Sequence, residues 1–164
     1  MGDKSGASRA GRPERRPWGF FFFGFCALCS ALFLSGCQAS RPGPCVCLKG
    51  HCYSVEIAET PRSRERGLMF REGLQSGEGM LFIFESPAPH AFWMKNMAFP
   101  IDVIWADEGQ RVVHIVSDLP PCQQDPCPVA RPPAPSKYVL EVAAKESEKI
   151  GLRLGDVLDL RQIR

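Results

Sequence analysis

The sequence lacks the motifs that most often announce catalysis, and each absence removes a class of chemistry. There is no Gly-x-Ser-x-Gly, no His-Glu-x-x-His, no glycine-rich phosphate loop and no paired-carboxylate motif. A hydrolase needs a nucleophile and a base brought together, so enzymatic activity is not the leading expectation. Histidine is scarce, at 3 of 164 residues, and His90 and His114 stand without a ligand partner at metal spacing. Charge of one sign is scarce as well. Lys+Arg number 20 against Asp+Glu 18, the pI is near 8.1, and no basic face stands out, which argues against a nucleic-acid partner. No β-α-β alternation is sustained, so a doubly wound parallel sheet is not expected. What is present is 45% hydrophobic residues, enough for one domain with a core.

These averages mix two unlike pieces. Residues 1–36 hold five basic and two acidic side chains and six of the eleven Phe, so the remaining 128 residues carry about −1. Lys4, Arg9, Arg12, Arg15 and Arg16 precede an apolar run from Phe20 to Leu34. Fifteen residues at 1.5 Å rise cover about 22 Å, short of the ~30 Å hydrocarbon core, which suits a signal peptide better than a permanent span. The run ends in Leu34-Ser35-Gly36-Cys37, a string that resembles the lipobox of bacterial lipoproteins. The resemblance implies cleavage after Gly36 and lipid chains on Cys37. Each buried CH₂ contributes roughly 0.8 kcal/mol, so two or three chains anchor stably. In a Gram-negative host, Gln38 after the lipidated Cys implies the periplasmic face of the outer membrane. Residues 1–36 are thus expected to be a lipoprotein signal peptide, and 37–52 a lipidated, cysteine-containing tether.

An exported chain meets oxidising conditions, so disulfides are the default for Cys45, Cys47, Cys52, Cys122 and Cys127. Cys122 and Cys127 close a short loop among prolines and are the expected bridge. The other three supply at most one pair among themselves. Cys45, Cys47, His51 and Cys52 also form a candidate metal cluster, but their spacing matches no common zinc template, and no cofactor is expected.

Residues 53–164 read as one globular domain. Tyr53 to Glu59 alternates at period two, with Val55 and Ile57 inward. Thr60-Pro61 starts a helix, as N-cap and first helical residue, expected to run to about Met69 or Phe70. Met80–Phe84, Ile101–Ala106, Arg111–Val116, Tyr138–Ala143 and Asp156–Leu160 are expected strands, with a short helix over residues 144–152. Seven prolines in 120–135 exclude regular sheet and helix there. The expected fold is α+β and mainly β: a small mixed pseudo-barrel or sandwich sheet with one or two short helices covering it.

The ordered strings Glu65-Arg66-Gly67-Leu68-Met69-Phe70-Arg71, Gly79-Met80-Leu81-Phe82-Ile83-Phe84, Phe92-Trp93-Met94-Lys95-Asn96, Pro100-Ile101-Asp102, Tyr138-Val139-Leu140-Glu141-Val142 and Gly155-Asp156 resemble domain-of-unknown-function family 192. The resemblance covers about residues 53–162 and implies a mainly β pseudo-barrel with no established activity. Met97 departs from the Thr usual in that family after Lys-Asn.

Arg66, Lys95, Asn96 and Asp102 are the polar residues embedded in these apolar motifs. Asp102 interrupts a strand, and if buried it needs a partner, which Arg66 or Lys95 would supply. The leading expectation is a lipid-anchored envelope module for a small polar or anionic ligand or another envelope component. Arg66 and Lys95 would form its anion rim, Asn96 would orient the ligand, and Trp93 would form part of one wall. The alternatives are an envelope enzyme with Asp102 as general base, a thiol or metal protein built on Cys45, Cys47 and Cys52, and a purely structural envelope domain.

Overall fold

Alternation at period two decides which side of each strand is dry, and in this chain several strands are dry on both. The computed structural model describes residues 43–161 and Ile163. The leader, the lipidation candidate Cys37 and tether residues 38–42 lie outside the described residues.

Strands β1 (Cys45–Leu48) and β2 (His51–Ala58) form a hairpin whose two turn residues, Lys49 and Gly50, have φ of 48° and 83°. Such a two-residue turn with both φ positive matches the twist of the strands it joins. Cys47 and Cys52 face each other in this register and are joined by a disulfide. The cysteine-bearing part of the expected tether therefore belongs to the domain. The disulfide also takes two of the four candidate metal ligands.

Helix α1 (Pro61–Arg66) begins as expected, with the Thr60 side chain accepting from the Ser63 N–H and Ser63 Oγ accepting from the Thr60 N–H. It stops at Gly67, earlier than the sequence predicted. The backbone there takes a φ of 48°, and a β-carbon at this position would sit 3.3 Å from the Phe82 ring. Strands β3 (Glu78–Ala88), β4 (Phe92–Trp93), β5 (Ile101–Ala106), β6 (Val112–Leu119), β7 (Val129–Ala130), β8 (Ser136–Ala143) and β9 (Leu158–Asp159) follow, with helix α2 (Glu146–Lys149) between β8 and β9. The β7 strand lies inside the proline-rich segment. Residues 129–131 are its only proline-free triplet after Cys127, so their amides remain available to pair with β4.

Seven strands form one sheet in the order β6-β5-β8-β3-β2-β1-β9, with β2 and β3 parallel across α1 and the other neighbours antiparallel. Its two edges approach each other. An antiparallel bridge joins Arg111 to Val157, the Leu158 N–H donates to the Gln110 carbonyl at 2.8 Å, and the Val112 N–H donates to Asp156 at 2.8 Å. The curled sheet has one core inside, including Leu48, Val55, Leu81, Ile104, Leu140 and Val142, and another outside, around Leu68, Phe82, Met94, Val103, Trp105 and Val139. Strand β5 is buried at all six residues. The architecture is mainly β in an α+β fold, as the sequence predicted.

Asp102 sits in this doubly buried strand and is fully buried itself. Its partners are neither Arg66 nor Lys95. One carboxylate oxygen accepts from Ser117 Oγ (3.2 Å), the Asp118 N–H (2.8 Å) and the Lys145 N–H (2.7 Å). The other accepts from the Ser147 N–H (2.7 Å) and Ser147 Oγ (2.5 Å). The side chain therefore bolts β5 to the end of β6 and to the first turn of α2. With both oxygens saturated and no solvent access, it is a structural anchor rather than a rim residue or a general base.

Replacing Asp102 by Ala strands several buried donors, each costing about 1–3 kcal/mol. Asp102→Ala is expected to lose roughly 3–5 kcal/mol of stability, read by urea unfolding. A loss under about 1 kcal/mol would contradict the anchoring role.

Candidate functional site

The loop after α1 and the segment Phe92–Met97 meet over the outer face of the sheet. The Phe70 N–H donates to the Asn96 carbonyl at 2.9 Å, and Asn96 Nδ2 lies 3.8 Å from Met69 Sδ. Both Phe70 and Asn96 adopt left-handed backbone, with φ of 65° and 57°. Asn tolerates this conformation. For Phe it costs about 1–2 kcal/mol, and such strain concentrates at functional sites. Phe70 is also 73% exposed.

Between these segments run two adjoining cavities that share Glu65, Arg66, Met69 and Trp93. The outer one, about 530 Å³, is bordered also by Arg62, Phe70, Lys95 and Asn96. The inner one, about 280 Å³, runs past Phe84, Phe92 and Met97 to Glu141. Its aromatic wall is pinned edge to face: Phe92 lies 4.8 Å from Phe82 and 5.8 Å from Trp105, ring centre to ring centre.

The cleft is basic at its mouth. Among the described residues the ion pairs are Lys49–Asp156, Arg71–Glu56, Lys137–Glu108, Lys145–Asp118, Lys149–Glu146 and Arg161–Asp159, and Arg62, Arg66 and Lys95 take part in none of them. Lys95 Nζ stands 5.5 Å from the centre of the Trp93 ring. Arg64 is held differently: it donates to the carbonyls of Glu59 and Ile83 and lies over the Phe84 ring. The structure thus brings together four of the five residues singled out from the sequence, namely Arg66, Trp93, Lys95 and Asn96. Asp102 is not among them. The Cys122–Cys127 disulfide is present in the proline-rich loop, outside the lining of these two cavities.

Glu141 was not singled out from the sequence, although its signal is the one that marked Asp102: a carboxylate in an otherwise apolar strand. It is 6% exposed, and its Oε2 has no hydrogen-bond partner. Burial pushes its pKa up to about 8. Arg71 opposes that rise, but its guanidinium is engaged with Glu56 at 2.6 and 2.7 Å.

A mainly β domain with an open, basic-rimmed, aromatic-walled cleft is the class that fold and site define. The chain belongs to domain-of-unknown-function family 192, described as "Uncharacterized ACR", whose model matches residues 45–160. A crystal structure of a protein of unknown function from Novosphingobium aromaticivorans is similar, at 27% identity and a TM-score of 0.67 over 74% of this chain and 94% of that one. So is a candidate transcription regulator from Sinorhizobium meliloti, at 30% identity and a TM-score of 0.65 over 73% and 97%. No curated protein matches.

A carboxyl whose pKa is raised on folding favours the fold while protonated. Its contribution is complete below its ordinary value near 4.5 and is lost as pH rises to about 8. Wild-type stability relative to Glu141→Gln is therefore expected to fall between pH 4.5 and 8, by at most about 5 kcal/mol. Denaturant unfolding of both proteins across that range checks this, and parallel curves would show that Glu141 is not held neutral.

Proposed function

We propose that this domain is a small-ligand-binding or accessory module of the bacterial cell envelope, lipid-anchored through Cys37, that takes an anionic ligand at the mouth of the cleft. The observation that carries the binding reading is the set of three cations, Arg62, Arg66 and Lys95, outside every ion pair of the described residues and grouped at the opening of an aromatic-walled cavity. Cations gathered on one rim repel each other and are stabilised by an anion between them. Arg offers a carboxylate or phosphate a planar two-pronged donor, and Lys adds a mobile point charge. Trp93 and Phe92 give the apolar part of such a ligand a wall, and Asn96 adds a neutral polar group beside Lys95. The anchor rests on the basic, apolar and small-residue order of residues 1–37. In a Gram-negative host the module would stand at the periplasmic face of the outer membrane.

Two measurements test this reading. In a panel of small carboxylates and phosphates, any compound that raises the melting temperature of the wild type is expected to bind Arg66→Ala/Lys95→Ala at least tenfold more weakly, a loss of about 1.4 kcal/mol or more. An unchanged melting shift would remove the rim from the site. Separately, Cys37→Ser is expected to move the protein from the membrane to the soluble fraction of its host and to abolish incorporation of labelled fatty acid. Membrane retention with no label in the wild type would rule out the anchor.

A further inference from the structure

Glu141 has no fold-holding role comparable to that of Asp102. In the sheet it lies opposite Met80 on β3 and Val103 on β5, both apolar, in a row that continues to Glu56 on β2. The charged groups around it come from elsewhere. Arg64, Glu65 and Arg66 of α1 line the same cavity. Arg71, from the loop after α1, is paired with Glu56 and lies within the influence of Glu78 of β3. A buried polar atom without a partner is rare in folded proteins and calls for an explanation. Here the unpartnered oxygen belongs to a residue that lines a cavity open to the basic mouth.

We propose that Glu141 is the inner recognition group of this cleft and that the ligand is a hydroxylated ring carboxylate, a sugar acid. Its carboxylate meets Arg66 and Lys95, one ring face lies on Trp93 and Phe92, and a ring hydroxyl hydrogen-bonds Glu141. The assignment rests on the reading of the rim as an anion site and adds what lies beneath it.

Three observations select this class. The inner cavity of about 280 Å³ holds roughly nine waters at about 30 Å³ each, or one ring-sized organic molecule. Its wall is aromatic, and flat C–H ring faces pack on such walls. The buried Glu141 carboxyl lines it, and in the neutral form that burial favours it offers one donor and one acceptor, which a hydroxyl, itself donor and acceptor, complements. An ammonium group is disfavoured here, because the guanidiniums of Arg64 and Arg66 outnumber Glu65 in the lining of the same cavity and burial pushes the Glu141 pKa up, towards its neutral form. A purely aliphatic ring would offer the Glu141 carboxyl no hydrogen bond.

The test is isothermal titration calorimetry of the full chain with glucuronate, cyclohexanecarboxylate and glucose, at pH 6 and pH 9, with the folding of every variant verified by thermal melting. The wild type is expected to bind glucuronate at least tenfold more tightly than cyclohexanecarboxylate or glucose, and about tenfold more tightly at pH 6 than at pH 9. Glu141→Gln, whose amide also donates and accepts, is expected to keep glucuronate binding at pH 6 and to lose the pH dependence. Glu141→Leu is expected to bind glucuronate no better than cyclohexanecarboxylate. Arg66→Ala/Lys95→Ala is expected to weaken both carboxylates while leaving the pH dependence of any residual glucuronate binding. Equal wild-type affinity for the two carboxylates, still sensitive to the rim substitutions, would overturn the role of Glu141 and leave the anion rim standing. Carboxylate binding indifferent to the rim substitutions would overturn the rim reading and this assignment with it. No carboxylate binding by the folded wild type would overturn the sugar-acid assignment.

Discussion

Asp102 occupies a strand buried at every residue, and its two oxygens accept hydrogen bonds from two segments far apart in sequence, Ser117–Asp118 and the helix start that carries Lys145 and Ser147. Both segments have left-handed backbone, at Asp118 and Lys145, and the amides of these two residues donate to the same carboxylate oxygen. Removing the carboxylate would release the first turn of α2 and the end of β6 together. The neighbouring polar cluster depends on the same placement: Glu146, next to Ser147, takes bonds from Tyr53, Ser76 and Lys149. Burial and the Glu146 carboxylate push the Tyr53 phenol up to about 12, so it stays a neutral donor at any physiological pH.

Glu141 lies one strand away and has the opposite character. Both acids interrupt apolar strands in the middle of the sheet, and both are buried. Asp102 has both oxygens engaged by donors, whereas Glu141 lines a cavity and keeps one buried oxygen without a partner. That difference separates a group that specifies shape from one held ready for something outside the chain. The cleft beside Glu141 is framed where α1 ends at Gly67, close against the Phe82 ring, and where Phe70 and Asn96, both in left-handed backbone, join the two covering segments by a hydrogen bond.

Much of the architecture was legible along the chain. The alternating strands, the Thr60-Pro61 helix start and the loop-closing pair Cys122 and Cys127 each depend on neighbours a few residues apart, and they appear where the sequence places them. Features that depend on distant neighbours were less accessible. The apolar pattern runs on in sequence through Leu68 and Met69, but the helix ends at Gly67, in positive φ and packed closely against Phe82, fifteen residues later. The Lys49-Gly50 turn makes a hairpin of a segment that composition marks as tether, and β1 is held in the sheet between β2 and the distant β9. A two-residue strand survives among prolines because β4 waits beside it.

The sequence by itself determined the class of fold, the family, and four residues of the cleft, Arg66, Trp93, Lys95 and Asn96, though not Arg62, because hydrophobic period, turn chemistry and motif order are local properties. It also named Asp102 as a polar residue in need of a partner. Only the tertiary structure decided that the partners are backbone amides and serines, and that Glu141, unremarked in the sequence, is the acid facing a cavity. The physical reason is the two-sided sheet. Adjacent residues of one strand point to opposite faces, and what lies above each face is supplied by segments tens of residues away.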